Sequence, residues 1–365
     1  MRRIMFAGGG TGGHLFPAFA IAQEFQRRLG SECEVRFFVT GRELEMKLIG
    51  SRGYGMSKIN VRGLKRGSMM GNLMFFPILA VGILQAIAKI IKFNPDVVVG
   101  TGGYLSFPAV LGAKLTNRTA FIQEQNSFAG VATLKLARFA DLIFIAYDQA
   151  AARIGFREKC ILSGNPVNTR IGEVDREEAL ASFGLEANKK TLLILGGSQG
   201  AASINSKIAQ SLPELARQNN LQIFWQCGNH PESISAFQSS GNAGLATPFI
   251  QDMPAAYAVA DLILCRAGAL TLAEVTAAGK PCVVVPYPQA TDDHQTKNAE
   301  TLVEAGAAIL IKDSQLSDLN LASFIAQLIN DDSKLLAMGM ASGSLGRKGA
   351  AEAIVQRMFE YMGWR

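Results

Sequence analysis

Residues 8–14 (Gly-Gly-Gly-Thr-Gly-Gly-His) combine a glycine turn with a titratable side chain. Glycines let the backbone approach a ligand closely and adopt positive φ angles without a steric penalty. The apolar run at residues 4–7 predicts a strand before the turn, and the segment after it, with Pro17 suited to a first helical turn, predicts a helix. Such a helix start presents unpaired N–H groups and a positive dipole end, which suit a phosphate, a pyrophosphate or another anion. His14 stands at the edge of this turn.

A carboxylate follows a second turn of small residues, at residues 265–274 (Cys-Arg-Ala-Gly-Ala-Leu-Thr-Leu-Ala-Glu). Ala269 and Leu270 offer backbone N–H groups at the predicted helix start, and Glu274 lies about one turn further along. A carboxylate in that position can accept hydrogen bonds from two ribose hydroxyls. The segment alone leaves open whether Glu274 binds a ribose or is an ordinary solvated carboxylate.

Several common nucleotide and metal chemistries lack their residues. Residues 8–13 match the dinucleotide pattern G-x-G-x-x-G, but the predicted second strand ends at residues 38–41 (Phe-Val-Thr-Gly) without a carboxylate, which disfavours an NAD-dependent dehydrogenase. The pattern G-x-x-x-x-G-K-[ST] is absent, which counts against kinases and ATPases of that class. The three histidines are far apart and no Asp-x-Asp pair occurs, so we expect no metal site.

Near-continuous apolar runs, separated by helical patterns, recur along the chain and predict its strands. They lie at residues 4–7, 34–39, 96–99, 119–122, 142–146, 191–195, 222–226, 262–265 and 282–285. Such runs are typical of parallel sheets covered by helices on both faces. Each half of the chain begins with a strand and a glycine turn, and the second turn comes at residues 196–201. The sequence therefore predicts an α/β fold with two doubly wound, Rossmann-like domains.

The pattern breaks around residues 164–167 (Gly-Asn-Pro-Val), and a charged stretch follows. We expect a first domain at residues 1–163, a second at residues 164–345, and an amphipathic helix within residues 346–365 that packs back on the first. Ligands bind outside the carboxyl ends of parallel strands. Two such domains facing each other predict a ligand cleft lined by the glycine turns of both halves.

Composition agrees with two soluble domains. In 365 residues, 48% are hydrophobic and 18% charged, which provides large cores and argues against disorder. The net charge of +6 fits either simple solubility or an anionic partner. The five cysteines are scattered, which indicates free thiols in a reducing cytosol, and the N-terminal apolar run is too short for a signal peptide.

The most apolar stretch, residues 73–84, is broken by Pro77 and Gly82 and is too short to span a membrane. A buried helix explains part of it. We expect the remainder to be a partly exposed apolar face that lies on anionic lipid. Its basic rim would consist of Lys65, Arg66, Lys89 and Lys92.

Taken in order, several segments resemble the motifs of glycosyltransferase family 28, in particular its bacterial cell-wall enzymes. They are residues 8–14, 100–104, 124–126 (Glu-Gln-Asn), 164–167, 196–201, 266–274 and 292–299. The resemblance covers essentially the whole chain and implies the two-domain GT-B fold. It also implies a hexosyltransferase that moves N-acetylglucosamine from UDP-GlcNAc, with inversion, to the muramoyl 4-hydroxyl of undecaprenyl-pyrophosphoryl-MurNAc-pentapeptide. That step converts lipid I to lipid II in peptidoglycan synthesis.

The resemblance also implies site residues. His14 would be the catalytic base, or would only orient the acceptor. The implied substrate-binding residues are Thr11, Gly12, Gly13, Asn126, Ser198, Ile250, Ala269, Leu270, Thr271, Leu272, Ala273, Glu274 and Gln295. Of these, Asn126 and Gln295 would contact the donor sugar, Ile250 the uracil and Glu274 the ribose. The family commonly has Arg after Asn-Pro-Val, where this chain has Asn168, and neither Asn168 nor Arg170 is assigned that role.

The implied setting is the cytoplasmic face of the bacterial membrane, with peripheral attachment. The expected partners are UDP-GlcNAc, the lipid-linked acceptor, an anionic membrane surface and proteins of cell-wall synthesis and cell division, without nucleic acid. No cofactor or metal is expected beyond the donor substrate. The alternatives are a related transferase with another lipid acceptor such as a diacylglycerol, a UDP-sugar 2-epimerase, and a non-catalytic lipid-binding scaffold.

Overall fold

The computed structural model describes residues 1–9, 12–63, 75–197 and 199–364, apart from the side chains of Leu44 and Thr291. The chain divides into two compact units. Unit 1 comprises Met1–Pro166 and Gly349–Arg365, and unit 2 comprises Val167–Lys348. The predicted domain boundaries lie close to this division, but what each domain does stays a prediction.

Each unit contains one sheet, and all strand pairs described are parallel. The strands of unit 1 are β1 (Arg2–Ala7), β2 (Cys33–Val39), β3 (Gly55–Lys58), β4 (Val97–Gly100), β5 (Thr119–Glu124), β6 (Leu142–Ile145) and β7 (Cys160–Leu162). Those of unit 2 are β8 (Lys190–Leu195), β9 (Leu221–Gln226), β10 (Gly244–Thr247), β11 (Leu262–Cys265), β12 (Cys282–Val284) and β13 (Ala308–Leu310). The two sheet orders are β3-β2-β1-β4-β5-β6-β7 and β10-β9-β8-β11-β12-β13.

Helices follow most strands, as a doubly wound sheet requires. In chain order the helices among the described residues are α1 (Gly12–Leu29), α2 (Glu43–Gly50), α3 (Phe75–Phe93), α4 (Ser106–Leu115), α5 (Val131–Leu136), α6 (Asp148–Ile154), α7 (Arg176–Phe183), α8 (Ala202–Leu215), α9 (Pro231–Gln238), α10 (Met253–Val259), α11 (Ala269–Ala277), α12 (His294–Glu304), α13 (Leu321–Ile329), α14 (Asp332–Leu345) and α15 (Ala350–Met362).

The central strands are buried on both faces. In β1, Ile4 and Phe6 join one core layer with α1, while Met5 and Ala7 join another with α3 and α4. Because successive strand residues point to opposite faces, a strand covered on both sides needs an apolar residue at every position. This explains the near-continuous apolar runs, and the predicted α/β fold class is confirmed.

The C-terminal helix α15 packs in the core of unit 1. Ile354 and Val355 are fully buried there with residues of α1 and β1. The ring centroids of Phe359 and Phe25 lie 5.8 Å apart. The last helix of the chain therefore completes the layer of helices over the first sheet.

Candidate active site

The first glycine turn leads from β1 into α1, which begins at Gly12. Gly10 and the predicted ligand residue Thr11 lie outside the described residues. Gly12, Gly13 and His14 are the first three described residues of α1, so their N–H groups lie in its first turn. Pro17 lies inside the helix rather than in its first turn, so it donates no hydrogen bond to the carbonyl four residues earlier.

His14 lies where two glycine loops meet. Strand β1 pairs with β4, with Ala7 opposite Gly100, so the loops after the two strands are neighbours. Thr101 donates a hydrogen bond from Oγ1 to the carbonyl oxygen of His14 at 2.7 Å. A Cβ at Gly8 would lie 1.9 Å from that same Oγ1. The pairing of β1 with β4 and this hydrogen bond therefore hold the loop after β4 against the start of α1.

Two glycines of the second loop enclose the His14 ring. Gly102 and Gly103 have φ angles of +100° and +73°, which side-chain-bearing residues rarely adopt. A Cβ at Gly102 would lie 2.5 Å from His14 Nδ1, and one at Gly103 would lie 3.2 Å from His14 Cδ2. Glycine is required at both positions by backbone conformation and by the space that the imidazole occupies.

Gln125 contacts the imidazole directly, which the sequence did not reveal. Its Oε1 lies 3.1 Å from His14 Nδ1, although 111 positions separate the two residues. Gln125 is buried at the end of β5. The only sequence signal was its place in the Glu-Gln-Asn segment at the end of a predicted strand.

Glu124 organises the loop that carries Asn126. Its carboxylate is buried and accepts hydrogen bonds from the backbone N–H and the side-chain amide of Asn126, both at 3.1 Å. Further bonds come from the N–H of Gly130 at 3.0 Å and the hydroxyl of Thr133 at 2.5 Å. Several donors compensate the buried charge, as such burial requires. Asn126 is therefore held in place at the carboxyl end of β5.

The loop after β4 is braced from within. Ser106 Oγ donates to the Ala7 carbonyl at 2.7 Å and accepts the Gly102 N–H at 2.9 Å, so this side chain stabilises the loop. The Tyr104 hydroxyl is buried without a hydrogen-bond partner among the described residues. Burial raises the pKa of Tyr104, and the Arg42 guanidinium lies 5.6 Å from the centre of its ring.

A carboxylate does reach the end of β2, although the residues of that strand end include none. Glu45, on α2, is 5% exposed, and its Oε2 accepts the N–H of Thr40 at 2.8 Å and the hydroxyl of Thr40 at 2.7 Å. This oxygen therefore binds the residue that directly follows β2. The carboxylate at the end of β2 thus comes from helix α2 and not from the strand itself.

In unit 2, the glycine turn after β8 packs against the loop after β9. Ser198 lies outside the described residues. A Cβ at Gly200, whose φ is +79°, would lie 2.1 Å from the Cys227 carbonyl oxygen. A Cβ at Gly228 would lie 2.2 Å from the Gln199 backbone. The backbones of the two loops touch, which only glycine permits at these points.

Ile250 lies shortly after β10 and contacts the end of β9. Its side chain is buried, and its N–H donates to Gln226 Oε1 at 2.9 Å. Gln226 Nε2 donates in turn to the Gly197 carbonyl at 3.0 Å. A contact between the Ile250 N–H and a uracil would have to replace the bond to Gln226.

Helix α11 presents the second predicted anion site. Gly268 precedes it and Ala269 begins it, so the N–H groups of Ala269, Leu270 and Thr271 lie in its first turn. The side chains of Ala269 and Leu272 are buried in the core, so these two residues would reach a ligand only through their backbone. Ala273 lies next to Glu274 in the following turn.

Glu274 is held by a buried tyrosine. The Tyr257 hydroxyl donates to Glu274 Oε2 at 2.9 Å, and Tyr257 is only 1% exposed. Burial raises the pKa of Glu274 to about 7, against a smaller lowering by the Tyr257 hydrogen bond. Burial also raises the pKa of Tyr257 well above its usual value, with a further contribution from Glu274. Glu274 is half-buried, and the Tyr257 hydroxyl orients its carboxylate, unlike that of an ordinary solvated helix residue.

Gln295 lies in the first turn of α12, where its Oε1 accepts the Tyr287 N–H at 2.9 Å. Arg266 braces the neighbouring loops. It donates to the carbonyls of Val285 and Pro286, both at 3.1 Å, and to Asp313 Oδ1 at 2.5 Å. The structure thereby ties the loop carrying Arg266 to the loop that bonds Gln295.

The Arg170 guanidinium forms an ion pair with Asp252 at 3.1 Å. The backbone N–H of Arg170 donates to Asn168 Oδ1 at 3.0 Å. Its guanidinium is thus engaged at the N-terminus of α10.

Within the part of the chain that the structure describes, no group of three His, Cys, Asp or Glu side chains is arranged to hold a metal ion.

Two family models together match most of the chain. Residues 4–145 match the glycosyltransferase family 28 N-terminal domain, and residues 191–356 match the glycosyltransferase family 28 C-terminal domain. A protein of Chlorobaculum tepidum is 39% identical over 98% of both chains, and one of Geotalea uraniireducens is 41% identical over 98% of this chain and 97% of its own. Both are named UDP-N-acetylglucosamine--N-acetylmuramyl-(pentapeptide) pyrophosphoryl-undecaprenol N-acetylglucosamine transferase.

Solved structures share the architecture. The crystal structure of Acinetobacter baumannii MurG matches with a TM-score of 0.76 and 29% identity, covering 99% of this chain and all of that one. A UDP-GlcNAc 2-epimerase of Neisseria meningitidis, bound to UDP-GlcNAc, matches with a TM-score of 0.69 over 99% of this chain and all of its own. At 17% identity, the epimerase shows the shared fold only. With both domain matches in order and about 40% identity to these relatives along 98% of its length, the chain belongs to glycosyltransferase family 28.

Proposed function

We propose that this chain transfers N-acetylglucosamine from UDP-GlcNAc to the muramoyl 4-hydroxyl of undecaprenyl-pyrophosphoryl-MurNAc-pentapeptide, with inversion at the anomeric carbon. The names of relatives that match 98% of the chain support these substrates. The observation that carries the mechanism is the position of His14 in the first turn of α1, with its ring enclosed by Gly102 and Gly103.

On the acceptor side, His14 acts as the general base. Its imidazole takes the proton of the 4-hydroxyl as the hydroxyl oxygen bonds to the anomeric carbon and the bond from that carbon to the UDP oxygen breaks. The imidazolium then returns its proton to solvent. A free imidazole has a pKa of about 6.5, which suits this exchange near neutral pH. Such base catalysis typically contributes about 100- to 10,000-fold.

On the donor side, the N–H groups in the first turn of α11 meet the pyrophosphate as UDP leaves with its negative charge. Glu274 accepts the ribose hydroxyls, Ile250 contacts the uracil through its backbone, and Gln295 and Asn126 bind the sugar. Gly12 and Gly13 contribute N–H groups from α1. Thr11 and Ser198 are also proposed to bind substrate, and both lie outside the described residues. Because helix ends supply this stabilisation, the proposal needs no metal.

The proposed setting is the cytoplasmic face of the membrane, where the acceptor lipid is anchored. Helix α3 supports peripheral attachment. The apolar run at residues 73–84 was expected to be too short to span a membrane, but α3 continues to Phe93 and has 19 residues. By length and composition it is the one helix among the described residues that could cross a membrane. Gly82, Ala86, Ile90 and Phe93 bury one of its sides in unit 1. The exposed side chains along it include Phe76, Val81, Leu84, Lys89, Ile91 and Lys92.

An apolar surface beside lysines suits anionic lipid. The remaining predicted rim residues, Lys65 and Arg66, lie outside the described residues, as do positions 73 and 74 of the apolar stretch. In this setting unit 1 serves the acceptor and the membrane, and unit 2 binds the UDP-sugar. Proteins of cell-wall synthesis and cell division are the proposed macromolecular partners, and nucleic acid is not.

Activity is tested with UDP-GlcNAc and a short-chain lipid I analogue, in buffer with EDTA. We expect UDP release that depends on the acceptor and a product with the new sugar in the inverted configuration. Acceptor-independent formation of UDP-N-acetylmannosamine would instead identify an epimerase. Transfer to a diacylglycerol but not to the lipid I analogue would identify the rival transferase. Loss of activity in EDTA, restored by Mg²⁺, would contradict metal-independent transfer.

Membrane attachment is tested by sedimentation with vesicles containing an anionic lipid. Leu84 on α3 and Leu336 on α14 are both 67% exposed, which makes them a matched pair. We expect Leu84→Asp to reduce vesicle binding at least severalfold because a charge would enter the lipid-facing surface. Leu336→Asp should bind like the unaltered protein. Equal binding by all three proteins would contradict the proposed attachment through α3.

A further inference from the structure

Three buried amide side chains stand in a row behind His14. We call Gln123, Gln125 and Asn165 the amide cluster. Gln123 is fully buried, Gln125 is 2% exposed and Asn165 is 4% exposed. Groups of this kind carry a large desolvation cost unless each one is hydrogen-bonded. Their bonding pattern therefore determines which way each amide faces.

Gln125 can face His14 in one orientation only. Its Nε2 donates to the backbone carbonyls of Thr101 at 2.7 Å and Gln123 at 3.1 Å. Carbonyl oxygens only accept, so this end of the amide must be the nitrogen. The opposite end, Oε1, then lies 3.1 Å from His14 Nδ1. A flipped amide would set its oxygen against two carbonyl oxygens.

The other two members of the amide cluster enforce this orientation. Gln123 Nε2 donates to Asn165 Oδ1 at 3.0 Å, which turns the Gln123 oxygen towards Gln125 Nε2. Asn165 Nδ2 donates to the backbone carbonyl of Gln125 at 3.0 Å. Each amide is therefore oriented by the next, and the chain of bonds ends at the imidazole.

We propose that Gln125 is a positioning residue that holds neutral His14 in the tautomer with its proton on Nδ1. Oε1 of a correctly oriented amide can only accept, so Nδ1 must donate. The lone pair of the neutral ring is then on Nε2, the nitrogen that takes the acceptor proton. A second-layer partner fixes the tautomer of many catalytic and metal-binding histidines in this way. The inference rests on the proposed role of His14 as the base.

The tautomer is measured directly by ¹⁵N NMR of protein labelled at histidine. The chain has only three histidines, so the ring signals are few, and His14→Ala identifies those of His14. In the unaltered protein above pH 8, we expect the shift of a protonated nitrogen at Nδ1 and of an unprotonated nitrogen at Nε2. The opposite pattern, or an equal mixture, would overturn the inference without any test of activity.

Gln125→Leu tests what the bond does. We expect the Nδ1–H preference to disappear and kcat to fall about 10- to 100-fold, while the Kd for UDP stays within about twofold. Gln222 is a matched control in unit 2: it is 1% exposed and its amide donates to Glu186 O and Thr191 Oγ1. Gln222→Leu loses a comparable buried amide but should retain the His14 tautomer and the activity.

The two proposals fail in different ways. Near-normal turnover by His14→Ala would remove the base role and with it the function of the amide cluster. An Nε2–H tautomer in the unaltered protein, together with an inactive His14→Ala variant, would overturn only the role of Gln125. If Gln125→Leu does not fold, the spectrum of the unaltered protein still decides.

Discussion

The two sheets share a strand order but hold different chemical groups. Counted within its own unit, each sheet runs third, second, first, fourth, fifth, sixth, and unit 1 has a seventh strand after the sixth. In each unit the first strand leads through glycines into a helix. In unit 1, two glycines and the amide of Gln125 lie against an imidazole. In unit 2, a carboxylate lies against a buried tyrosine. One backbone plan thus provides helix ends suited to anions twice, while the side chains at those ends differ.

These side chains suit the two units to different tasks. An imidazole is suited to exchange a proton near neutral pH. A carboxylate that a neighbouring side chain orients is suited to bind hydroxyl groups. We therefore propose that unit 1 carries out proton transfer and that unit 2 recognises the donor.

The largest expected effect comes from removing the imidazole. We expect His14→Ala to lower kcat by about 100- to 10,000-fold because general-base assistance is lost. Acceptor-dependent UDP release measures this. His230→Ala is the control, since His230 bonds Glu232 at the surface of unit 2 and should leave kcat unchanged. Turnover within about threefold of the unaltered enzyme would end the base assignment of His14.

The next effect concerns the carboxylate of unit 2. We expect Glu274→Gln to weaken UDP-GlcNAc binding by roughly 10- to 100-fold, since hydrogen bonds to a charged group are lost. Calorimetric titration measures it, with Glu304→Gln, an exposed residue of α12, as the control. The preference for UDP over 2′-deoxy-UDP should shrink in Glu274→Gln. An unchanged preference would show that Glu274 does not bind the ribose.

A smaller effect tests the space around the imidazole. Gly102 and Gly155 both have positive φ, at +100° and +76°, but only a Cβ at Gly102 would meet His14. Alanine at either position strains the backbone and should reduce stability by about 1 kcal/mol or more. Only Gly102→Ala should also lower kcat, by roughly tenfold, because the ring must move. Equal kcat values in two folded variants would contradict the enclosure of His14 by this loop.

The smallest effect is the pH dependence of donor affinity. Burial raises the pKa of Glu274 from 4.5 to about 7, so the group is protonated in acid and becomes a carboxylate as the pH rises through 7. Because the carboxylate is the better acceptor, UDP-GlcNAc should bind about three- to tenfold more tightly at pH 8 than at pH 6. Tyr257→Phe removes a bond that lowers this pKa and should move the midpoint to higher pH. A flat profile in the unaltered protein would contradict ionisation of Glu274 in this range.

The central strands of both sheets were predictable because they are buried on both faces. The missed strands are β3, β7, β10 and β13, and all four lie at sheet edges. They have three or four residues, and most of those residues are only partly buried. An edge strand needs no continuous apolar run, so the periodicity that revealed β1 or β8 is weak there.

The site was predictable where chemistry and spacing coincide in sequence. The glycine turn with His14, and the helix start with Glu274, could be proposed because each lies within one short segment. The side chains that bind His14 and Glu274 could not be predicted from the sequence. Gln125 lies 111 positions from His14, and Tyr257 precedes Glu274 by 17 positions on a different helix. Sheet pairing and core packing bring these side chains together, and neither can be derived from local pattern.

The most direct test of the division of tasks measures, for each of the two main variants, the quantity that the other variant is expected to change. UDP-GlcNAc affinity is measured for His14→Ala, and kcat at saturating donor for Glu274→Gln. We predict a Kd within about twofold of the unaltered enzyme for His14→Ala, and a kcat that falls far less than the affinity does for Glu274→Gln. If His14→Ala loses donor affinity as strongly as Glu274→Gln, or if Glu274→Gln loses kcat as strongly as His14→Ala, the assignment of proton transfer to unit 1 and donor recognition to unit 2 is wrong.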